Sequence, residues 1–190
     1  DYLTENIRIL EQITAPSEAW VAERLQNVDD ILEIQAVTPD NDPNGLLNKE
    51  DGGYTACIYF TSTGINVDGD SPVSKGTDGG GAIEVYGTLE DAEARCEYLH
   101  GFDNTILYTG SYAIVGTMVI RISYIYTTEE QYEMTNRITK ELTKLKKTDA
   151  ESISSVQVVE NSMFRPIDGF VQNSYNIIDI IIIQIILSKR

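Results

Sequence analysis

Asp40-Asn41-Asp42-Pro43-Asn44-Gly45 spells D-x-D-x-N-G, the first half of an EF-hand-like calcium loop, and Asp51 stands at its twelfth position. Oxygens of Asp40, Asp42 and Asn44 at this spacing converge on one hard cation, while Gly45 permits the sharp turn. Three features point the other way. The twelfth residue is the shorter Asp rather than a bidentate Glu, Pro43 lies inside the loop, and strands rather than helices are predicted on both sides. A turn held by Asx side chains and proline accounts for the same residues. The stretch therefore carries two expectations: a Ca2+ site at Asp40, Asp42, Asn44 and Asp51, or a structural turn.

Gly79-Gly80-Gly81 resembles a phosphate cradle in composition only. Nucleotide-binding glycine loops follow a strand and open a helix, whereas this one precedes a strand, so close backbone approach or flexibility is expected of it. No G-x-S-x-G elbow occurs, and a Ser-His-acid or Cys-His arrangement would have to use His100, which falls in the last turn of a predicted helix. With a single histidine and two cysteines, Cys57 and Cys96, a four-ligand zinc site lacks donors. Both cysteines read as small buried hydrophobes, a mutual disulfide being the alternative. The carboxylates are too numerous to single out a glycosidase-type pair.

Thirty acidic residues against fourteen basic ones give the 190-residue chain a formal charge of −16. Nucleic acid is excluded as a partner on that ground, because binding it requires a basic surface that releases counterions. An acidic surface suits solubility outside the cell, a basic partner or divalent cations. The opening DYLTENIRIL has neither a basic n-region nor an apolar h-region. Ile177 to Leu187 is eleven residues long and contains Asp179 and Gln184, too short and too polar for a bilayer-spanning helix of about 20 residues.

These residues need elements to position them. Thr14 caps a predicted helix that begins through Pro16 and Glu18 and runs to about Leu25, with Val21, Leu25 and Val28 as its apolar stripe and Trp20 as a core or rim anchor. Leu32 to Val37 is a predicted strand, and Tyr54 to Phe60 alternates with a period of two as a half-buried strand. Thr61 to Thr77 is a polar loop without periodicity.

The clearest unit follows: strand Ala82 to Tyr86, then a helix capped by Thr88 with Leu89, Ala92, Cys96 and Leu99 on one face. Gly101 ends that helix, in the left-handed conformation that such positions favour. Ile106 to Tyr108, Tyr112 to Val115 and Thr117 to Ser123 read as two or three strands, and Thr127 caps a last helix with Met134, Ile138, Leu142 and Leu145 at helical spacing.

Asn41 to Phe60 (NDPNGLLNKEDGGYTACIYF), Lys75 to Tyr86 (KGTDGGGAIEVY), Glu90 to Asp103 (EDAEARCEYLHGFD) and Gly110 to Ser123 (GSYAIVGTMVIRIS) together resemble a family of uncharacterised secreted proteins and lipoproteins of mainly Gram-positive bacteria. The resemblance spans roughly residues 15 to 145 and implies an extracellular or cell-surface setting; the family has no assigned catalytic residues to carry over.

The expected fold is α+β, in two layers, an antiparallel sheet with helices packed mainly on one face. Residues 1–13 are an N-terminal extension, 14–148 the domain, and 149–190 a C-terminal extension. The expected function is a non-catalytic secreted or cell-envelope binding module for an unknown protein or envelope ligand. Its contacts would be made by Thr61 to Thr77 and the Asp40 loop, with membrane attachment only through a lipid anchor outside these residues. An extracellular hydrolase using carboxylates and a calcium-stabilised structural module are the alternatives.

Overall fold

Alternation of side chains sets the middle of the molecule. In a computed structural model, which describes residues 2–103 and 105–145, strand β3 (Gly80–Val85) turns Ile83 and Val85 to one face and Ala82 and Glu84 to the other. It is paired on both sides in a five-stranded antiparallel sheet of order β1-β2-β3-β5-β4, where β1 is Ile31–Ala36, β2 Ala56–Ser62, β4 Tyr112–Val115 and β5 Met118–Ile122.

Helices α1 (Tyr2–Ile13), α2 (Glu18–Leu25) and α5 (Thr128–Thr143) pack on the first face. Ile13, Val21, Leu25, Met134, Ile138 and Leu142 there meet Ile58, Phe60, Ile83 and Ile120 in one cluster. The class is α+β with an antiparallel sheet and most helices on one face, as expected. Helix α4 (Leu89–His100) lies on the second face, so helices and sheet make three layers where two were expected: the chain leaves β3 through α4 to reach edge strand β4 before β5 returns between β4 and β3. Its apolar face, Ala92, Cys96 and Leu99, is buried there against Cys57, Tyr59, Tyr86 and Val119.

Several local expectations are corrected. Strand β2 is buried on both faces rather than half-buried, since α4 and the 38–55 segment cover the side that solvent would otherwise reach. Ser17, not Thr14, caps α2: its hydroxyl accepts from the Trp20 amide, whereas the Thr14 hydroxyl donates back to the Leu10 carbonyl at 2.7 Å and so closes α1. Tyr2–Ile13 forms helix α1, whose Ile13 is fully buried and accepts from the Thr117 amide.

Within Thr61 to Thr77 a short helix, α3 (Pro72–Lys75), forms because Ser71 and Ser74 make a reciprocal capping box and Pro72 stands at its start. Ile106 to Tyr108 is not a strand; Ile106 is fully exposed and the segment turns through Thr105–Tyr108. Gly101 is right-handed, φ −60°, because the chain continues past α4 in tight turns from Leu99 to Thr105.

Other readings stand. Trp20 is a rim anchor beneath the Arg24 guanidinium, 4.9 Å from its ring centroid, and Thr127 forms a full capping box with Glu130. Among the described residues no helix is long and apolar enough to cross a membrane. The expectations for residues 149–190 and the isoleucine run lie outside the described residues.

Candidate functional site

Alternation in two strands and the face of one helix bring three charged side chains together on the second face. Glu84 of β3 points away from the Ile83 and Val85 side, fully buried. Arg121 does the same on β5, and Arg95 comes down from α4. Arg95 Nε and Nη2 donate to the two oxygens of Glu84, each at 2.8 Å, and Arg121 Nη1 donates to Oε1 at 2.9 Å. The Tyr86 hydroxyl adds a fourth bond at 2.9 Å.

Burial pushes the Glu84 carboxyl up, but the Arg121 charge and the Arg95 hydrogen bonds outweigh it and hold the group below its ordinary value. Glu84 is therefore ionised at neutral pH. Burial raises the Tyr86 hydroxyl, and the neighbouring Glu84 charge raises it further, so it stays a neutral donor.

Two guanidiniums on one carboxylate leave one positive charge over. Both arginine side chains are nearly buried, at 10% and 9% exposure, yet both line a cleft of about 270 Å³. Its other walls come from Tyr98 on α4 and from the segment that follows, notably Asp103, Tyr108 and Tyr112. The Arg121 Nη2 donates to the Thr109 hydroxyl at 3.1 Å, and Arg95 lies over the Tyr98 ring, 5.3 Å from its centroid. Asp103 Oδ2 accepts from the Tyr112 hydroxyl at 3.1 Å and lies 2.9 Å from His100 Nδ1. The Gln131 side chain accepts from the Ser111 amide at 2.8 Å and so ties this wall to α5.

A second depression of about 410 Å³ shares Asn44, Arg95 and Tyr98 with the first and extends toward Leu46, Gly52 and Asp91. The two form a groove across α4, bounded on one side by the loop singled out in the sequence.

In that loop Asp42 is the organising residue. Its Oδ1 accepts from the Asn44 amide at 2.9 Å and from the Tyr54 hydroxyl, and Oδ2 accepts from the Leu47 amide at 2.7 Å. Burial raises the Asp42 carboxyl, but the Tyr54 hydroxyl and the backbone donors outweigh it, so the group is held below its ordinary value. Asn44 reaches the mouth of the cleft and donates from Nδ2 to the Tyr59 hydroxyl at 3.2 Å. Asp40 and Asp51 remain exposed in turns. Among the described residues no group of three or more His, Cys, Asp or Glu side chains is arranged to hold a metal ion, so the fold does not gather Asp40, Asp42 and Asp51 into one.

Gly79 to Gly81 serve backbone geometry, as expected: a Cβ on Gly81 would lie 2.5 Å from Phe60 Cζ and closer still to the Arg121 carbonyl oxygen. His100 is a helix-end residue, largely exposed. Cys57 and Cys96 are buried free thiols on the second face.

Glu84, Arg95, Arg121 and Asp103 were not anticipated as a set. The available signal was one acid in AIEVY and one base in VIRIS, each a lone charge inside an apolar strand, which a core accepts only as a pair. No protein-family model, curated protein or solved structure gives a match to the chain.

Proposed function

We propose that this chain is a non-catalytic binding module of a secreted or cell-envelope protein, which takes its ligand in the groove between α4, the Asp42 loop and the segment following α4. The observation that carries the reading is the pair of nearly buried arginines, Arg95 and Arg121, fixed by Glu84 and opening onto the cleft. Such a floor is pre-organised: the guanidiniums are oriented before a ligand arrives, so little side-chain entropy is lost on binding. The setting rests on the resemblance carried by Asn41 to Phe60, Lys75 to Tyr86, Glu90 to Asp103 and Gly110 to Ser123, and the acidic composition agrees with it.

The chemistry of the groove favours binding over hydrolysis. A carboxylate acid catalyst needs a raised pKa and a free oxygen. Glu84 has a lowered one, and both its oxygens accept hydrogen bonds from three neighbouring side chains. Thr61 to Thr77 ranks below the groove as a contact surface, because α3 packs Val73 inward and the exposed positions, 63–64, 66, 68–70 and 74, line neither the cleft nor the second depression.

The test is a fragment screen that includes acids, bases and neutral compounds, followed by amide chemical shifts on the labelled protein. Shifts gathered on Arg95, Tyr98, Thr109 and Gly110 support the groove. Hits scattered over the surface, or none, overturn it.

A further inference from the structure

We infer that the groove recognises the carboxylate of a small apolar ligand, of the size of an aromatic monoacid, with Arg95 and Arg121 as the anion-holding pair. The inference rests on the binding-module reading and names the ligand class for the same site.

Charge balance is the first argument. Glu84 neutralises one of the two guanidiniums at the cleft floor, and Asp103 in the wall sets one negative charge against the other, so the cleft is balanced overall with its cationic donors gathered at the floor. A monoanion adds the smallest negative load that can still engage both guanidiniums. A phosphate dianion would bring a second charge into a cleft that already holds Asp103, in a chain of net charge −16.

Donor geometry is the second. A guanidinium carries five N–H groups in a planar fork. Glu84 occupies Nε and Nη2 of Arg95, leaving Nη1 without a hydrogen-bond partner among the described residues. Arg121 uses Nη1 on Glu84 and Nη2 on Thr109, and each of these nitrogens carries a second hydrogen. These remaining N–H groups suit the two oxygens of a carboxylate.

The walls are the third. Tyr98 and Phe102 pack edge to face at 5.1 Å between centroids, and Tyr98 is 59% exposed, as is Leu107 across the cleft. An aromatic or branched apolar body would cover this surface, whereas a fully polar anion would leave it wet. About 270 Å³ lies at the small end of ligand pockets, which limits the body to roughly one ring.

Titration of the labelled protein with sodium benzoate, benzamide, benzylamine and inorganic phosphate tests this. Benzoate is expected to give saturable shifts at Leu99, Thr109 and Gly110, with benzamide at least about tenfold weaker, since the neutral amide forgoes the charge-assisted pair. Benzylamine should not bind. Arg95→Gln is expected to lose the preference for benzoate over benzamide.

Because that change also unbalances Glu84, two milder variants accompany it. Tyr98→Ala, at an exposed position, should weaken benzoate severalfold. Asp103→Asn keeps an acceptor for Tyr112 and removes a negative charge, so it should tighten benzoate. Equal affinity for benzoate and benzamide, tighter binding of phosphate, or weaker binding by Asp103→Asn each overturns the carboxylate assignment. If benzamide and neutral fragments still bind in the cleft, the binding-module reading survives that failure; if nothing binds there, both fall.

Discussion

Glu84 and Arg121 are diagonal neighbours on adjacent strands: Glu84 is opposite Val119 and Arg121 opposite Ala82, and Arg121 Nη1 donates to Glu84 Oε1 at 2.9 Å. Arg95 completes the pair from α4, so one carboxylate joins β3 and β5 to the helix above them.

Removing the carboxylate leaves two buried cations facing each other. Glu84→Gln is therefore expected to destabilise the fold by about 3–5 kcal/mol, measured by urea unfolding. Replacing the whole set at once, as Glu84→Leu with Arg95→Met and Arg121→Met, should recover most of that loss, because the desolvation penalty goes with the charges. A triple variant less stable than Glu84→Gln would contradict the account.

Acidification should act through the same carboxyl. Its folded pKa lies below the unfolded value of about 4.3, so the folded state binds fewer protons and the contribution of Glu84 is present above that value. That contribution is lost as pH falls through the folded pKa. The stability gap between the parent protein and Glu84→Gln should accordingly narrow in acid; urea midpoints for both proteins across the acidic range give the comparison, and a gap that widens would sink the linkage.

Gly81→Ala should cost about 1–3 kcal/mol, since its Cβ meets Phe60 and the Arg121 backbone in a strand paired on both sides. Gly87→Ala is the control: no atom lies within 4 Å of its Cβ, so thermal unfolding should show little change or a slight gain.

Asp42→Ala should lower the melting temperature by the same amount in calcium and in chelator, because the lost contacts are hydrogen bonds from Tyr54, Asn44 and Leu47. A calcium-dependent rise in the parent protein that is absent in Asp42→Ala would instead establish the cation site.

Burial raises the Cys57 thiol well above its ordinary value and pushes Cys96 up to about 12, with Glu84 adding to both. Neither should react with iodoacetamide in the native protein near neutral pH, and both should react after unfolding without reductant; intact mass distinguishes the states.

Much of the fold was legible locally. Met134, Ile138 and Leu142 at helical spacing, the Thr127 cap with Glu130, and the Leu89 to Leu99 face all depend on residues a turn or two apart, so short-range periodicity and capping specify them. The alternation of Ala56 to Phe60 likewise marks a strand, but whether its second face is wet depends on α4, which does not begin until Leu89. The Asp42 loop was legible as a turn; that Asn44 borders a cleft was not, because the cleft's other walls come from α4, from Phe102 and Asp103, and from Leu107 to Gly110 with Tyr112. Glu84, Arg95 and Arg121 are the extreme case. Each is an ordinary charge in its own segment, and the site exists only because strand register sets two of them diagonally on one face and the β3 to β4 crossover lays α4 across that face.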